Sequence, residues 1–112
     1  MVKIVHCKKS KYDIYIGRTS GTKYHYGNIA SHQDDTLAPV RVQSREEAIK
    51  AFEEWLDGEA YQEIEPERRK WILSRIPFID ENSILGCWCS PLRCHGEVIK
   101  KKVEEYGRTK AV

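Results

Sequence analysis

Ser83–Val98, reading SILGCWCSPLRCHGEV, constrains this chain more than any other stretch. Its apolar start, Ile84-Leu85-Gly86-Cys87-Trp88, has the length and composition of a short buried strand. Pro91 breaks the run, after which Val98, Ile99, Val103 and Tyr106 recur at helical spacing. That helix is expected to begin near His95 or Gly96 and to stop at Gly107. Glu97 falls in its first turn, where a negative charge suits the helix dipole.

The upstream chain supplies the rest of a layered domain. Lys3–Cys7 and Asp13–Gly17 are short β-branched stretches split by a Lys/Ser-rich turn, and they predict a hairpin or two neighbouring strands. On a strand His6 and Cys7 face opposite sides, and a lone cysteine there suits a small buried hydrophobe. From Arg18 to Pro39 no periodicity survives. Gly17, Gly21, Gly27 and Asn28 punctuate a long loop carrying Tyr24, His25, Tyr26 and His32. Loops beyond about 12–15 residues are uncommon in compact domains and often functional. Its rings either stack on a base or sugar or plug the loop onto the core. Ser44-Arg45-Glu46-Glu47 is a capping box, and Ala48, Phe52, Trp55 and Leu56 follow at helical spacing to Gly58. A second helix is expected from Glu65-Pro66 through Trp71, Ile72 and Ile76, ended by Pro77. Trp55 and Trp71 read as core.

The order β-β-loop-α-α-β-α predicts an α/β fold. We expect one small domain over residues 1–107, with a short mixed sheet packed by about three helices, Rossmann-like in flavour, and a frayed tail at 108–112. In open α/β sheets ligands collect at the carboxyl ends of strands, which places the site where the last strand hands over to the last helix. The 112-residue length, 40% hydrophobic fraction and 10% aromatics suit one domain with a core and argue against disorder. A net charge of +2 selects no partner. Basic residues nonetheless crowd both ends: Lys3, Lys8, Lys9, Lys11 and Arg18, then Lys100, Lys101, Lys102, Arg108 and Lys110. Such clusters are solvated faces or binding surfaces for nucleic acid or nucleotide phosphate. Met1–Lys11 lacks the apolar core of a signal peptide, and no run approaches the roughly 18 apolar residues of a membrane span. A cytoplasmic location without membrane association is the expectation, host cytoplasm if the chain is viral. There, clustered cysteines are ligands or reactive thiols rather than a disulfide frame.

Three of the four cysteines (Cys87, Cys89, Cys94) and His95 fall within nine residues. One reading is a metal site: Cys87 and Cys89 leave the same face of an extended segment, and Cys94 and His95 return after the turn. Three sulfurs and one nitrogen are the mix zinc prefers, although the C-x-C-x4-C-H spacing departs from paired C-x2-C hooks. A second reading is a reactive thiolate or anion pocket. Cys94 sits at a helix N-terminus, flanked by Arg93 and His95, where amides and dipole favour S⁻ or a bound phosphate. The third is inert core. A Cys87–Cys89 disulfide would be strained. No H-E-x-x-H, P-loop or G-x-G-x-x-G motif occurs.

Tyr12-Asp13-Ile14-Tyr15-Ile16-Gly17-Arg18 and Cys87-Trp88-Cys89-Ser90-Pro91-Leu92-Arg93-Cys94-His95-Gly96-Glu97 together resemble the domain-of-unknown-function family numbered 4326, found in phages and microbes. The resemblance runs over most of the chain. Where that family usually carries Trp-Gly-Asn-Pro after its arginine, this chain has Tyr26-Gly27-Asn28-Ile29 at a greater distance. The late block is also similar to the Cys…Pro…Cys-His strand-to-helix turn of family 488. Neither resemblance supplies an activity. Both imply that Gly17-Arg18, Gly27-Asn28 and the Cys/His block converge on one pocket.

Three functions remain open at this point. The leading one is a small ligand- or metal-binding module handling nucleotides or nucleic acid, with Cys87, Cys89, Cys94 and His95 holding zinc and Arg18, Asn28 and Arg93 meeting the ligand. The rival is an enzyme in which Cys94 is the activated thiolate, His95 or Glu97 moves protons and Arg18 binds an anionic substrate. A structural or protein-interaction module is the third.

Overall fold

The computed structural model describes residues 1–33 and 38–110, with 109–110 described as helical backbone only. Three short strands form the central sheet: β1 (Lys3–His6), β2 (Ile14–Tyr15) and β5 (Ile84–Cys87). Their order is β1-β5-β2 and both pairings are parallel, with Ile4 opposite Leu85 and Tyr15 opposite Gly86. The expected hairpin is therefore absent. The two N-terminal segments are separated by β5, which takes the central position where its Leu85, Gly86 and Cys87 are all buried. A parallel strand buried on both faces reads as a continuous apolar run rather than an alternating one, as Ile84–Cys87 does. Gly86 is required there, since a Cβ would sit 2.6 Å from the Tyr12 ring that covers it.

The loop after Arg18 is not wholly irregular. Ala30–Ser31 (β3) pairs in parallel with Val40–Arg41 (β4), a second two-stranded sheet. No antiparallel pairing occurs among the described strands, so the sheets are parallel rather than mixed.

Helix α1 (Arg45–Leu56) starts where the capping box places it. Ser44 Oγ accepts from the Glu47 amide at 3.2 Å, while the Glu47 carboxylate reaches past Ser44 to the Gln43 amide. Ala48, Ile49, Ala51, Phe52, Trp55 and Leu56 form its buried face. No basic residue lies in its last turn, and Arg69 of the next helix supplies the missing donor, giving its Nε to the Trp55 and Leu56 carbonyls. Gly58, at φ +81°, ends the segment.

Helix α2 (Pro66–Arg75) opens on proline, whose absent N–H is no loss in a first turn. A 3-10 turn, Ile76–Phe78, carries the chain past Pro77. Trp55 is fully buried, with its indole Nε1 donating to the Ile64 carbonyl at 2.8 Å. Trp71 is only half-buried, with the Tyr24 and Tyr26 rings packed on it. Of the loop's rings, His25 and Tyr26 are buried and plug it onto the core, while Tyr24 stays 45% exposed.

Helix α3 (Gly96–Lys110) begins as expected but runs through Gly107. A glycine costs a helix only about 1 kcal/mol, too little to end one whose Val98, Ile99 and Val103 are buried. The tail expected at 108–112 is helical through 110; 111–112 lie outside the described residues. Among the described residues, no helix is long and apolar enough to cross a membrane.

Candidate functional site

The carboxyl ends of β2 and β5, the start of α1 and the turn into α3 enclose a cleft of about 210 Å³. Arg18, Asn28, Cys87, Cys89, Arg93, Cys94 and His95 all line it, so the front third of the chain and the late block meet there. Glu97 does not line it. Its carboxylate is held on the protein surface by a bidentate pair with Arg93 at 3.0–3.1 Å. That geometry removes Glu97 from the expected proton-transfer role.

The three late thiols are together and free. Cys94 Sγ donates to Cys87 Sγ at 3.5 Å. Sharing the one Cys94 proton lowers the pKa of both Cys87 and Cys89, against the opposing effect of burial. The Arg45 guanidinium adds to this at Cys89. The neighbouring Cys87 and Cys89 sulfurs, and then its own burial, drive the Cys94 pKa strongly upward. Cys94, where the sequence places the reactive thiol, is 4% exposed, and the half-buried Cys89 is the more accessible of the two.

The amides at the start of α3 form no open anion cradle. Gly96 N–H donates to Cys94 Sγ, Glu97 N–H to the Cys94 carbonyl, and Val98 N–H to the His95 carbonyl. Local capping has consumed the donors that an anion at this helix end would need.

His95 turns away from the sulfurs. Its Nε2 lies 2.7 Å from the Ile16 carbonyl and 2.9 Å from the Tyr26 carbonyl, two acceptors that fix the neutral Nε2–H tautomer. Burial pushes its pKa down to about 4, outweighing those two carbonyls. The Phe52 ring meets the imidazole edge-on at 5.0 Å. His95 is therefore a clamp joining the front third of the chain to α3, and the expected three-sulfur, one-nitrogen zinc set is not assembled. Among the described residues, no group of three or more His, Cys, Asp or Glu side chains is disposed to hold a metal ion.

Arg18 reaches the cleft, but its charge is already matched. Nη2 donates to the Asn28 carbonyl at 3.0 Å and to Glu65 at 3.1 Å. Glu65 also accepts from Arg68, which is 1% exposed, gives Nη1 to the His25 carbonyl and stacks over Trp55 at 4.9 Å. Burial alone would raise the Glu65 pKa, but hydrogen bonds and charge from Arg18 and Arg68 overcome it and hold the carboxyl below its usual range. Glu65 adopts φ +40°, a left-handed backbone that a non-glycine residue disfavours, and the two arginines hold it there. Asn28 serves the scaffold: its side-chain amide donates to the Ala48 carbonyl, and its Oδ1 accepts from Ala30 N–H. Gly27 allows that loop to lie on Arg18, since a Cβ would fall 2.5 Å from the Arg18 Cα.

Two groups that the sequence did not single out complete the site. Arg45 lines the cleft and donates Nη1 to a neutral acceptor, the Arg93 carbonyl, at 3.2 Å. Trp88, 56% exposed, forms part of the cleft wall. Its Nε1 donates to Tyr15 Oη at 2.6 Å, with the Lys8 ammonium over its ring at 5.4 Å. Among the described lining residues there are three arginines and two histidines, and no Asp or Glu.

Comparison with known proteins gives one result. The family model described as "Domain of unknown function (DUF4326)" matches residues 3–105. The chain belongs to that family. The DUF4326 match spans all three strands of the central sheet and every residue placed in the cleft above. No curated protein and no solved structure matches the chain.

Proposed function

We propose that this DUF4326 protein binds a small phosphate-bearing ligand of the nucleotide class in the cleft at the carboxyl ends of β2 and β5. One observation carries the reading: an exposed indole and an arginine bonded to a backbone carbonyl share a cleft whose described lining has no carboxylate. Arg45 meets the phosphate, assisted by His32 on the same wall. Trp88, steadied by its bond to Tyr15, offers a face for a base. Arg18 and His95 tie the walls together and do not meet the ligand. Zinc plays no part in this reading.

Calorimetric titration tests it with three probes: a nucleoside monophosphate, the matching nucleoside and inorganic phosphate. The nucleotide should bind more tightly than either fragment. A charge-assisted hydrogen bond is worth about 1.5–3 kcal/mol, so Arg45→Ala should weaken nucleotide binding by about 10- to 100-fold. Loss of stacking in Trp88→Ala should cost about 1–3 kcal/mol. Equal binding of all three probes, or both variants binding as the parent does, would remove the proposal.

A further inference from the structure

Cys94 stands between two other thiols, and the three differ in access. Its sulfur lies 3.5 Å from Cys87 Sγ, and Cys94 lines the same cleft wall as Cys89. Cys87 and Cys94 are 2% and 4% exposed, whereas Cys89 is half-buried and lines the cleft. One accessible sulfur with a buried one on the same cleft wall is the arrangement thiol–disulfide exchange uses: the first attacks, and the second resolves. Cys87 is a poor resolving partner for Cys89, because two cysteines separated by one residue on an extended segment form a strained bridge. Cys94 approaches from the helix side and has no such restriction. Arg45 on the cleft wall, held by no carboxylate among the described residues, favours a disulfide that carries carboxylates.

We propose that the cleft is a thiol–disulfide exchange site for a small, negatively charged disulfide, with Cys89 taking its first sulfur and Cys94 resolving the adduct. The Cys89 thiolate attacks one sulfur of R–S–S–R, forming Cys89–S–S–R and expelling RS⁻, which is protonated to RSH. Cys94 then loses its proton to solvent and attacks Cys89 Sγ, closing a Cys89–Cys94 disulfide and expelling the second RS⁻. Two protein thiols are oxidised, one small disulfide is reduced to two thiols, and the two protons leave with the products. Excess small thiol runs both steps in reverse and restores the dithiol. This inference is independent of nucleotide binding.

The test uses the full chain in a Cys7→Ser background, which removes the thiol outside the cluster. Protein is incubated with oxidised glutathione, or with the uncharged hydroxyethyl disulfide, and followed by intact mass and peptide mapping. The parent should lose two hydrogens and map to a Cys89–Cys94 bridge, reacting severalfold faster with oxidised glutathione than with the uncharged probe. Cys94→Ser should hold one glutathione on Cys89, and Cys89→Ser should give neither adduct nor bridge, while circular dichroism shows both variants folded. A bridge that forms without Cys94, a first adduct on a sulfur other than Cys89, or a folded Cys94→Ser variant that holds no adduct would overturn the proposal. So would thiols that remain unreactive because they hold zinc in the protein as purified. Equal rates with the two probes would refute the charge selection.

Discussion

Replacing Glu65 with glutamine keeps the side chain's shape and its left-handed backbone but removes the charge that two arginines share. Arg68 is 1% exposed, with its other hydrogen bond going to the His25 carbonyl and its Nη2 unpartnered, so the loss leaves a buried cation poorly compensated. Breaking a fully buried pair costs about 3–5 kcal/mol. The Glu65 side chain is 30% exposed and glutamine can still accept one hydrogen bond, which lowers the expectation to about 2–3 kcal/mol. Urea denaturation at pH 7 measures that loss. The pH dependence supplies an internal control. Because the arginines hold the Glu65 pKa below its usual value, its contribution is full above the ordinary carboxylate range and lost as pH falls through the folded value. Parent and Glu65→Gln should therefore converge in stability as pH falls below the ordinary carboxylate range and through the folded Glu65 value. A loss under about 0.5 kcal/mol at pH 7, typical of an exposed pair, would refute the clamp. So would a difference that persists unchanged into acid.

Other outcomes follow from the same packing. His95 is buried with its pKa near 4, whereas an unfolded histidine titrates near 6.5, so between those values the unfolded chain binds more protons and stability falls as pH is lowered. The difference of 2.5 units corresponds to about 3 kcal/mol. His95→Gln, less stable at pH 7 for want of the Phe52 contact, should show a shallower decline between pH 6.5 and 4; identical slopes would exclude His95 as the source. Gly86→Ala should destabilise by about 1–3 kcal/mol through overpacking against Tyr12, and Tyr12→Ala should recover part of that loss in thermal melts.

What the sequence disclosed was what local chemistry dictates. The Ser44 cap, Pro66 in a first turn, and the passage from Ile84–Cys87 into the last helix each rest on neighbours within a few residues, and each stands in the fold. The convergence of Arg18 and Asn28 on the late thiols was legible through the resemblance of both segments to one family. Pairings distant along the chain were not. Nothing near Lys3–Gly17 announces that β5 will lie between the two strands. The partner of Arg18 is Glu65, a residue that reads locally as a helix start. Arg45 was absorbed into the capping box and Trp88 into the strand, which hid two contributors to the cleft. His95 sits in the motif, yet its ring bonds carbonyls 79 and 69 residues away, and that direction decides between ligand and clamp.

The central claim is that Arg45 and Trp88 face one ligand in one cleft. Nitrogen-15 NMR of the labelled protein, titrated with a nucleoside monophosphate, tests it most directly. The account predicts saturable shifts at the Trp88 indole Nε1–H and the Arg45 Nε–H, with the Trp55 indole unmoved. Shifts confined to the lysines at the two ends of the chain, or no saturable shift at either Trp88 or Arg45, would contradict it.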